Sequence, residues 1–222
     1  MKALFFAGLF FVPFAMAETP LIKRAADGWK AWDKKEVPAE GWTGLEFDDS
    51  EWKDATMPVG YGTVEVKTKL HYGWDEKKKH ATACVRRIFE VKEAAAAYVI
   101  KARIDDGAVF YVNGKEIQRV NIAKEVKVGE YSKTLLGPGV LKHYSTLILE
   151  PELVKVGKNV IAVAVHQGSP TSSDLYLDLE ISAVNEEEFA ALKKEAEERN
   201  KKFEAEMKRR KEEEAKKQAP TV

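Results

Sequence analysis

Along residues 104–120, IDDGAVFYVNGKEIQRV, apolar and polar positions alternate on either side of the dipeptide Asn113-Gly114. Period-two alternation marks a strand with two distinct faces. Both central residues of a tight type I′ turn need the positive φ that Asn and Gly tolerate, and the twist of that turn matches the strands it joins. The segment therefore reads as a β-hairpin, with Ala108, Phe110 and Val112 on one face and Val109, Tyr111 and Asn113 on the other. Further strand-forming runs follow at spacings typical of a sandwich: Val85 to Val91, Ala97 to Ile104, Tyr144 to Leu149, Asn159 to His166 and Leu175 to Ile181. No amphipathic helix separates them, which argues against a parallel α/β sheet and leaves two stacked antiparallel sheets as the economical solution. Pro138-Gly139 marks a longer connection crossing between the sheets.

The pattern changes at both ends. Residues 1–17, MKALFFAGLFFVPFAMA, place Lys2 ahead of an apolar run that ends in Ala15-Met16-Ala17, the layout of a cleavable export signal. The run is too short and too lightly flanked for a good membrane anchor, so the mature chain is expected to start at Glu18, without a membrane span, in the periplasm, on the cell surface or secreted. From residue 185 the chain turns to Glu, Lys, Arg and Ala, which predicts a charged helix and tail over 185–222. Glu195/Arg199, Glu197/Lys201, Glu198/Lys202, Glu204/Lys208 and Glu206/Arg210 are i,i+4 pairs in the favourable order, each contributing about 0.2 to 0.5 kcal/mol. Phe189, Leu192, Ala196 and Phe203 approximate a heptad seam that Arg199 and Glu206 interrupt, so docking of the first turns on the sandwich is expected rather than a strong coiled coil.

Composition narrows the function classes. Its 36 basic and 36 acidic side chains cancel to a formal net charge of +0, so no global field draws the chain to nucleic acid. Cys84 is the single cysteine, which excludes an intramolecular disulfide and reads as a small buried hydrophobe within a strand. Trp29, Trp32, Trp42 and Trp52, with Phe47 and Tyr61, are expected to be packed, because large aromatics bury much area. FDDSEWKDATMPVGYG reads as a turn, a short strand and a loop folded over the sheet: Asp48-Asp49-Ser50 can close a turn, while Pro58, Gly60 and Gly62 break regular structure.

Three segments in order, FDDSEWKDATMPVGYG, IDDGAVFYVNGKEI and GKNVIAVAVHQGSPTSSDLYLDLEI, resemble the galactose-binding-like jelly-roll module of exported bacterial proteins. The resemblance runs from about Ala26 to Val184 and takes in Trp29, Trp32, Tyr72-Gly73 and Arg86-Arg87-Ile88-Phe89. Cys84 stands where such modules tend to place an aromatic residue ahead of the basic pair. The resemblance implies an all-β, antiparallel jelly-roll sandwich over 18–184, related to the sugar-binding domain of family 2 glycoside hydrolases and commonly a non-catalytic part of larger proteins. Here a charged C-terminal helix stands where the usual setting has a catalytic domain, which weakens an enzyme-targeting role.

Candidate chemistry lies in loops. Asp105-Asp106-Gly107 is similar to the Asp-Asp-Gly of calcium-dependent lectin domains, and adjacent carboxylates can offer hard oxygens to a structural calcium. Two are too few, since calcium takes about six to eight oxygens and at least one more acid, such as Asp174, would have to converge. His166-Gln167, followed by Ser172-Ser173-Asp174, could hydrogen-bond sugar hydroxyls. A Ser-His-Asp triad is rejected, because no G-x-S-x-G elbow exists and these residues fall within one hairpin. Trp74, with Tyr72 in the polar loop HYGWDEKKKH, is the preferred platform for stacking on a pyranose. The expected function is non-catalytic recognition of carbohydrate through loops at one end of the sandwich, with no glycosidase carboxylate pair singled out. The alternative is an envelope scaffold that docks a cell-envelope protein through its C-terminal helix.

Overall fold

The computed structural model describes residues 19–62, 65–132 and 145–198, with the helical positions 201, 205 and 209. The expected export signal at 1–17, the Pro138-Gly139 connection, Tyr144 and the helical pairs that involve Arg199, Lys202, Glu204, Glu206, Lys208 or Arg210 lie outside these residues. Twelve strands among the described residues build two layers. The first sheet contains β1 (Thr19–Ile22), β4 (Val59–Tyr61), β5 (Thr68–Lys69), β7 (Ala97–Asp105), β10 (Ser145–Leu149) and β12 (Leu175–Val184). Its order is β10-β7-β12-β4-β5, and β1 also pairs with β12. The second runs β3-β2-β6-β11-β8-β9, from β2 (Trp29–Trp32), β3 (Lys53–Ala55), β6 (Thr82–Val91), β8 (Gly107–Val112), β9 (Lys115–Val120) and β11 (Gly157–His166). All pairings are antiparallel except that of the two-residue β5, which runs parallel to β4. This is the all-β sandwich the alternation implied, with strands where the sequence placed them.

Alternation explains the layering. Ile161, Val163 and Val165 of β11 meet Leu177, Leu179 and Ile181 of β12 and Ile100 and Ile104 of β7 in one core. Ala108, Phe110 and Val112 join it, while Val109 and Tyr111 face the other way, as the hairpin pattern requires. Asn113 (φ 50) and Gly114 (φ 85) take the left-handed turn. Asn113 has a second role that its sequence context hides: its Nδ2 donates to Leu153 O (3.0 Å) and Asn159 Oδ1 (2.8 Å), and its Oδ1 accepts from Val160 N (3.0 Å). The turn is thus fastened to the chain entering β11.

The second sheet is covered on both faces at its centre. Its outer face carries the small residues Cys84, Ala162 and Ala164, and the indoles of Trp42 and Trp52 fill the space above them, with Trp32 and Phe47 packed alongside. Trp52 lies 5.9 Å from Trp42 and 5.8 Å from Trp32, ring centre to ring centre. Cys84 is buried, and burial pushes its thiol well above the ordinary range, so it is a packed hydrophobe rather than a reactive thiol. Arg86, 0% exposed, projects from the same face. Its guanidinium pairs with Asp49, donates to Gly44 O (2.7 Å) and lies 5.4 Å from the centre of the Phe47 ring, pinning the 41–52 segment to the sheet.

One sequence reading is corrected. Val59-Gly60-Tyr61 is a strand inside the first sheet and not part of a covering loop, because it pairs with Leu175, Tyr176 and Leu177 of β12. A Cβ on Gly60 (φ +151) would sit 2.0 Å from Leu175 O, so the glycine permits close strand approach rather than breaking the strand.

On the first sheet's outer face, a helix over 186–198 (α1) docks Phe189 and Leu192 against Ala97, Val99 and Val184. Its start is a reciprocal cap: Glu188 N donates to Asn185 Oδ1 (2.9 Å) and Asn185 N to Glu188 Oε2 (3.0 Å).

Arg86→Ala is expected to destabilise the fold by about 3–5 kcal/mol, because it strands the Gly44 carbonyl and Asp49 and opens a cavity under Phe47. Urea unfolding measures this, and a loss under about 1 kcal/mol would show that the outer cover is anchored elsewhere.

Candidate functional site

All seven residues singled out in the sequence lie at one end of the sandwich. There β4 and β11 finish, the β7–β8 turn closes, β6 and β12 begin, and the 70–80 connection arches over the rim. Their environments differ sharply.

Trp74 is 97% exposed, at the tip of that connection. Its ring centre is 4.9 Å from His71, which lies 5.8 Å from His80. The loop is held rather than loose. His80 N donates to Tyr72 O (2.9 Å), and its Nδ1–H donates to Asp33 O (3.0 Å). The Asp33 carboxylate accepts His71 N (2.6 Å) and pairs with Lys53. Gly73 (φ +100) allows the close approach, since a Cβ there would lie 3.0 Å from His80 Nε2. Lys79, 8% exposed, ties the loop to its neighbour by donating to Glu76 O (3.0 Å) and Ser172 O (2.9 Å). Beside Trp74 opens a concavity of about 440 Å³ lined by Lys69, Leu70, His71, Tyr72, Gly73 and Glu76. An aromatic plate thus stands next to hydroxyl, carboxylate, ammonium and imidazole groups.

Tyr72 is half-buried, with its ring 4.8 Å from Tyr61. Tyr61 is buried, its phenol pushed up to about 12 by that burial, and its hydroxyl accepts from Gln167 Nε2. Gln167 and His166 are themselves 0% exposed, so neither lies on the surface where a sugar hydroxyl would meet it. His166 donates from Nδ1 to Glu130 O (2.8 Å), and burial pulls its pKa down to about 4 against the opposing pull of that carbonyl. The ring is a neutral, structural one near neutral pH. The backbone of Gln167 bridges Ala81 O and Ser132 N, fastening the 131–132 segment over the rim.

The acidic turn is built into the fold. Asp106 Oδ2 accepts from Gly168 N (2.7 Å) and Ser172 Oγ (3.0 Å), and its carbonyl accepts from Asn121 Nδ2 (2.7 Å). Asp105 is pushed up to about 7 by burial first, then by the charges of Asp106 and Asp174. Asp174 is half-buried against Gly62 and accepts from Ser173 Oγ (2.6 Å). The third acid anticipated for calcium is therefore near, yet no group of three or more His, Cys, Asp or Glu side chains could hold a metal among the described residues. Asp106 Oδ2 is already committed to two donors of the fold, and the acids here fall short of the about six to eight oxygens that calcium takes. The turn is structural as placed.

Asp33, His71, His80 and Lys79 escaped the sequence reading. The alternation of Tyr72 and Trp74 with polar neighbours marked the loop, but the anchor that holds it, Asp33, stands nearly forty residues earlier, at the end of β2.

No family model matches the chain, and no curated protein matches it. Among solved structures it is similar to Bacteroides uniformis β-glucuronidase 2 covalently bound to cyclophellitol-6-carboxylate aziridine, at 17% identity and a TM-score of 0.49. That match covers 75% of this chain and 18% of that one. A glycosyl hydrolase family 2 member from Bacteroides cellulosilyticus is similar at 17% identity and TM-score 0.45, over 72% of this chain and 20% of that one. A β-glycosidase from Bacteroides vulgatus is similar at 14% identity and TM-score 0.43, over 74% and 20%. The chain spans about a fifth of the length of these enzymes, and the activities in their descriptions are their own.

Because its folded pKa lies near 7 against an ordinary value of 3.8, Asp105 holds a proton in the folded state that the unfolded chain releases across that interval. Its contribution is favourable below about 3.8 and is lost as pH rises through about 7. Asp105→Asn should therefore gain thermal stability relative to the parent as pH climbs from 4 to 8, and parallel melting curves across that range would refute the shift.

Proposed function

We propose that the chain is an exported, non-catalytic carbohydrate-binding module of the jelly-roll type that recognises glycan at the rim around Trp74. The observation that carries this reading is the exposure of Trp74, 97% of its surface, on a loop fixed by the carboxylate of Asp33. An indole left in water on a well-held loop gains nothing for folding, and it offers a flat apolar face to the C–H face of a pyranose. Tyr72, Glu76, His71 and Lys69 surround it with groups suited to sugar hydroxyls. Of the residues anticipated for binding, Trp74 and Tyr72 touch ligand in this arrangement. Gln167 and His166 support the rim from beneath, and Asp174 borders it. The jelly-roll resemblance of the sequence and the export signal at 1–17 support the same reading. The scaffold alternative, which works through the C-terminal helix, is less favoured, because Phe189 and Leu192 of α1 are already spent on the sandwich.

A glycan array probed with the full chain should show binding that Trp74→Ala weakens by about thirtyfold, the loss of an interfacial anchor of roughly 2 kcal/mol. The thermal midpoint should not move, since the side chain packs little. Binding unchanged by the substitution, or absent across the array, would overturn the reading.

A further inference from the structure

A second concavity lies on the flank of the sandwich, where β2, β4 and β5 begin, at the ends of these strands opposite the rim. It measures about 600 Å³ and is lined by the 20–27 segment, Thr56, Lys67 and Arg87. Four of its lining side chains are cations: Lys23 and Arg24 from the β1–β2 connection, Lys67 ahead of β5, and Arg87 on β6. Asp27 is the acid among the lining residues, and Arg24 also pairs with Glu180 at 2.7 Å. Three separate segments thus bring positive charge to one hollow, offset in part by Asp27 and Glu180, and an entering anion would meet the remaining cations.

The hollow is also preformed. Ala25, with φ 54, sits in the left-handed region that alanine rarely adopts. It is kept there by pins on both sheets: Ala25 N donates to Asp178 Oδ1 (3.2 Å), Met57 N donates to Ala26 O (2.9 Å), and the Arg87 guanidinium donates to Asp27 O. Lys67 Nζ reaches Ala25 O at 3.4 Å, a long contact that leaves its charge available. A non-glycine residue over-determined in such a conformation is a mark of sites built in advance of their ligand.

Size and lining set the ligand class. A 600 Å³ hollow is in the range of small-molecule sites, about 300–1,000 Å³, and is larger than a bare oxyanion requires. Among the described residues no aromatic ring lines it, so the occupant is held by charge and not by stacking. Arg presents a planar fork that matches a carboxylate or sulfate, and Lys adds point charges around it. We infer that this flank hollow binds the carboxylate- or sulfate-bearing residues of an acidic polysaccharide, an inference that rests on the carbohydrate-binding reading and adds a second, charge-selective site to it.

Calorimetric titration of the full chain with oligogalacturonate, a sulfated oligosaccharide, a neutral oligosaccharide and a single-stranded DNA of matched charge tests this. One or both acidic saccharides should bind more tightly than the neutral one and the DNA, with affinity falling as salt is raised from about 0.05 to 0.5 M, where screening becomes severe. Whichever of the two binds names the anionic group. Lys23→Gln/Lys67→Gln, two exposed positions, should weaken acidic binding by about tenfold, whereas Lys67→Arg retains it. Trp74→Ala should leave acidic binding in place, which separates this site from the rim. Acidic binding that is lost with Trp74 and indifferent to the lysines overturns the flank site and leaves the rim reading standing. Failure of every saccharide removes both, and DNA bound as tightly as the acidic saccharides reduces the hollow to unspecific attraction.

Discussion

The layering depends on a guanidinium with no contact to solvent. Arg86 stands on the outer face of the second sheet, where a charge without partners would cost several kcal/mol, and the 41–52 segment supplies those partners: Asp49, the Gly44 carbonyl and the Phe47 ring. Once that segment is fixed, Trp42 and Trp52 cover Cys84, Ala162 and Ala164, and Trp32 is clasped against Trp52. Asp33 follows directly in the chain. Its carboxylate is thereby set where it accepts the amide of His71 and draws the 70–80 loop into place. The exposed Trp74 is thus held through a chain of contacts that begins at a buried arginine on the far side of the aromatic cover.

Legibility followed the range of the interactions concerned. The hairpin could be read because its turn residues, Asn113 and Gly114, and its alternation are local, and the long strands because each carries its own run of strand-forming residues. Val59-Gly60-Tyr61 was not legible as a strand, since its glycine answers to a carbonyl of Leu175, more than a hundred residues away. His166 and Gln167 looked available because the groups that take up their side chains, Glu130 O and the Tyr61 hydroxyl, come from distant parts of the chain. The Asp105-Asp106 pair read first as a structural turn, with a calcium ligand as the alternative. The donors that decide it, Gly168 N and Ser172 Oγ, come from a loop no local pattern connects to it.

Burial at the rim leaves two titrating groups of opposite sign close together. His166, near 4 in the fold against 6.5 ordinarily, stays neutral while the unfolded chain takes up a proton, so its contribution is lost as pH falls from about 6.5 toward 4. Asp105 does the reverse over an overlapping interval, since it keeps a proton the unfolded chain gives up. The two slopes offset each other between about 4 and 6.5. A rim built on buried polar residues therefore need not make the fold acid-sensitive.

The formal net charge of +0 is an average that conceals segregation. Balanced composition removes a global pull toward polyanions, and that deduction holds for the molecule as a whole. It says nothing about a hollow assembled from Lys23-Arg24, Lys67 and Arg87, because these lie some twenty to forty residues apart in the sequence and converge only when β1–β2, β5 and β6 come together. Recognition by stacking would need one exposed ring, and a ring such as Trp74 can be read from its polar loop. Recognition by charge needs several cations at close quarters, which repel one another and must be held by the fold. Such a site becomes visible when the strained arch at Ala25 is traced to Asp178 on one sheet and Arg87 on the other.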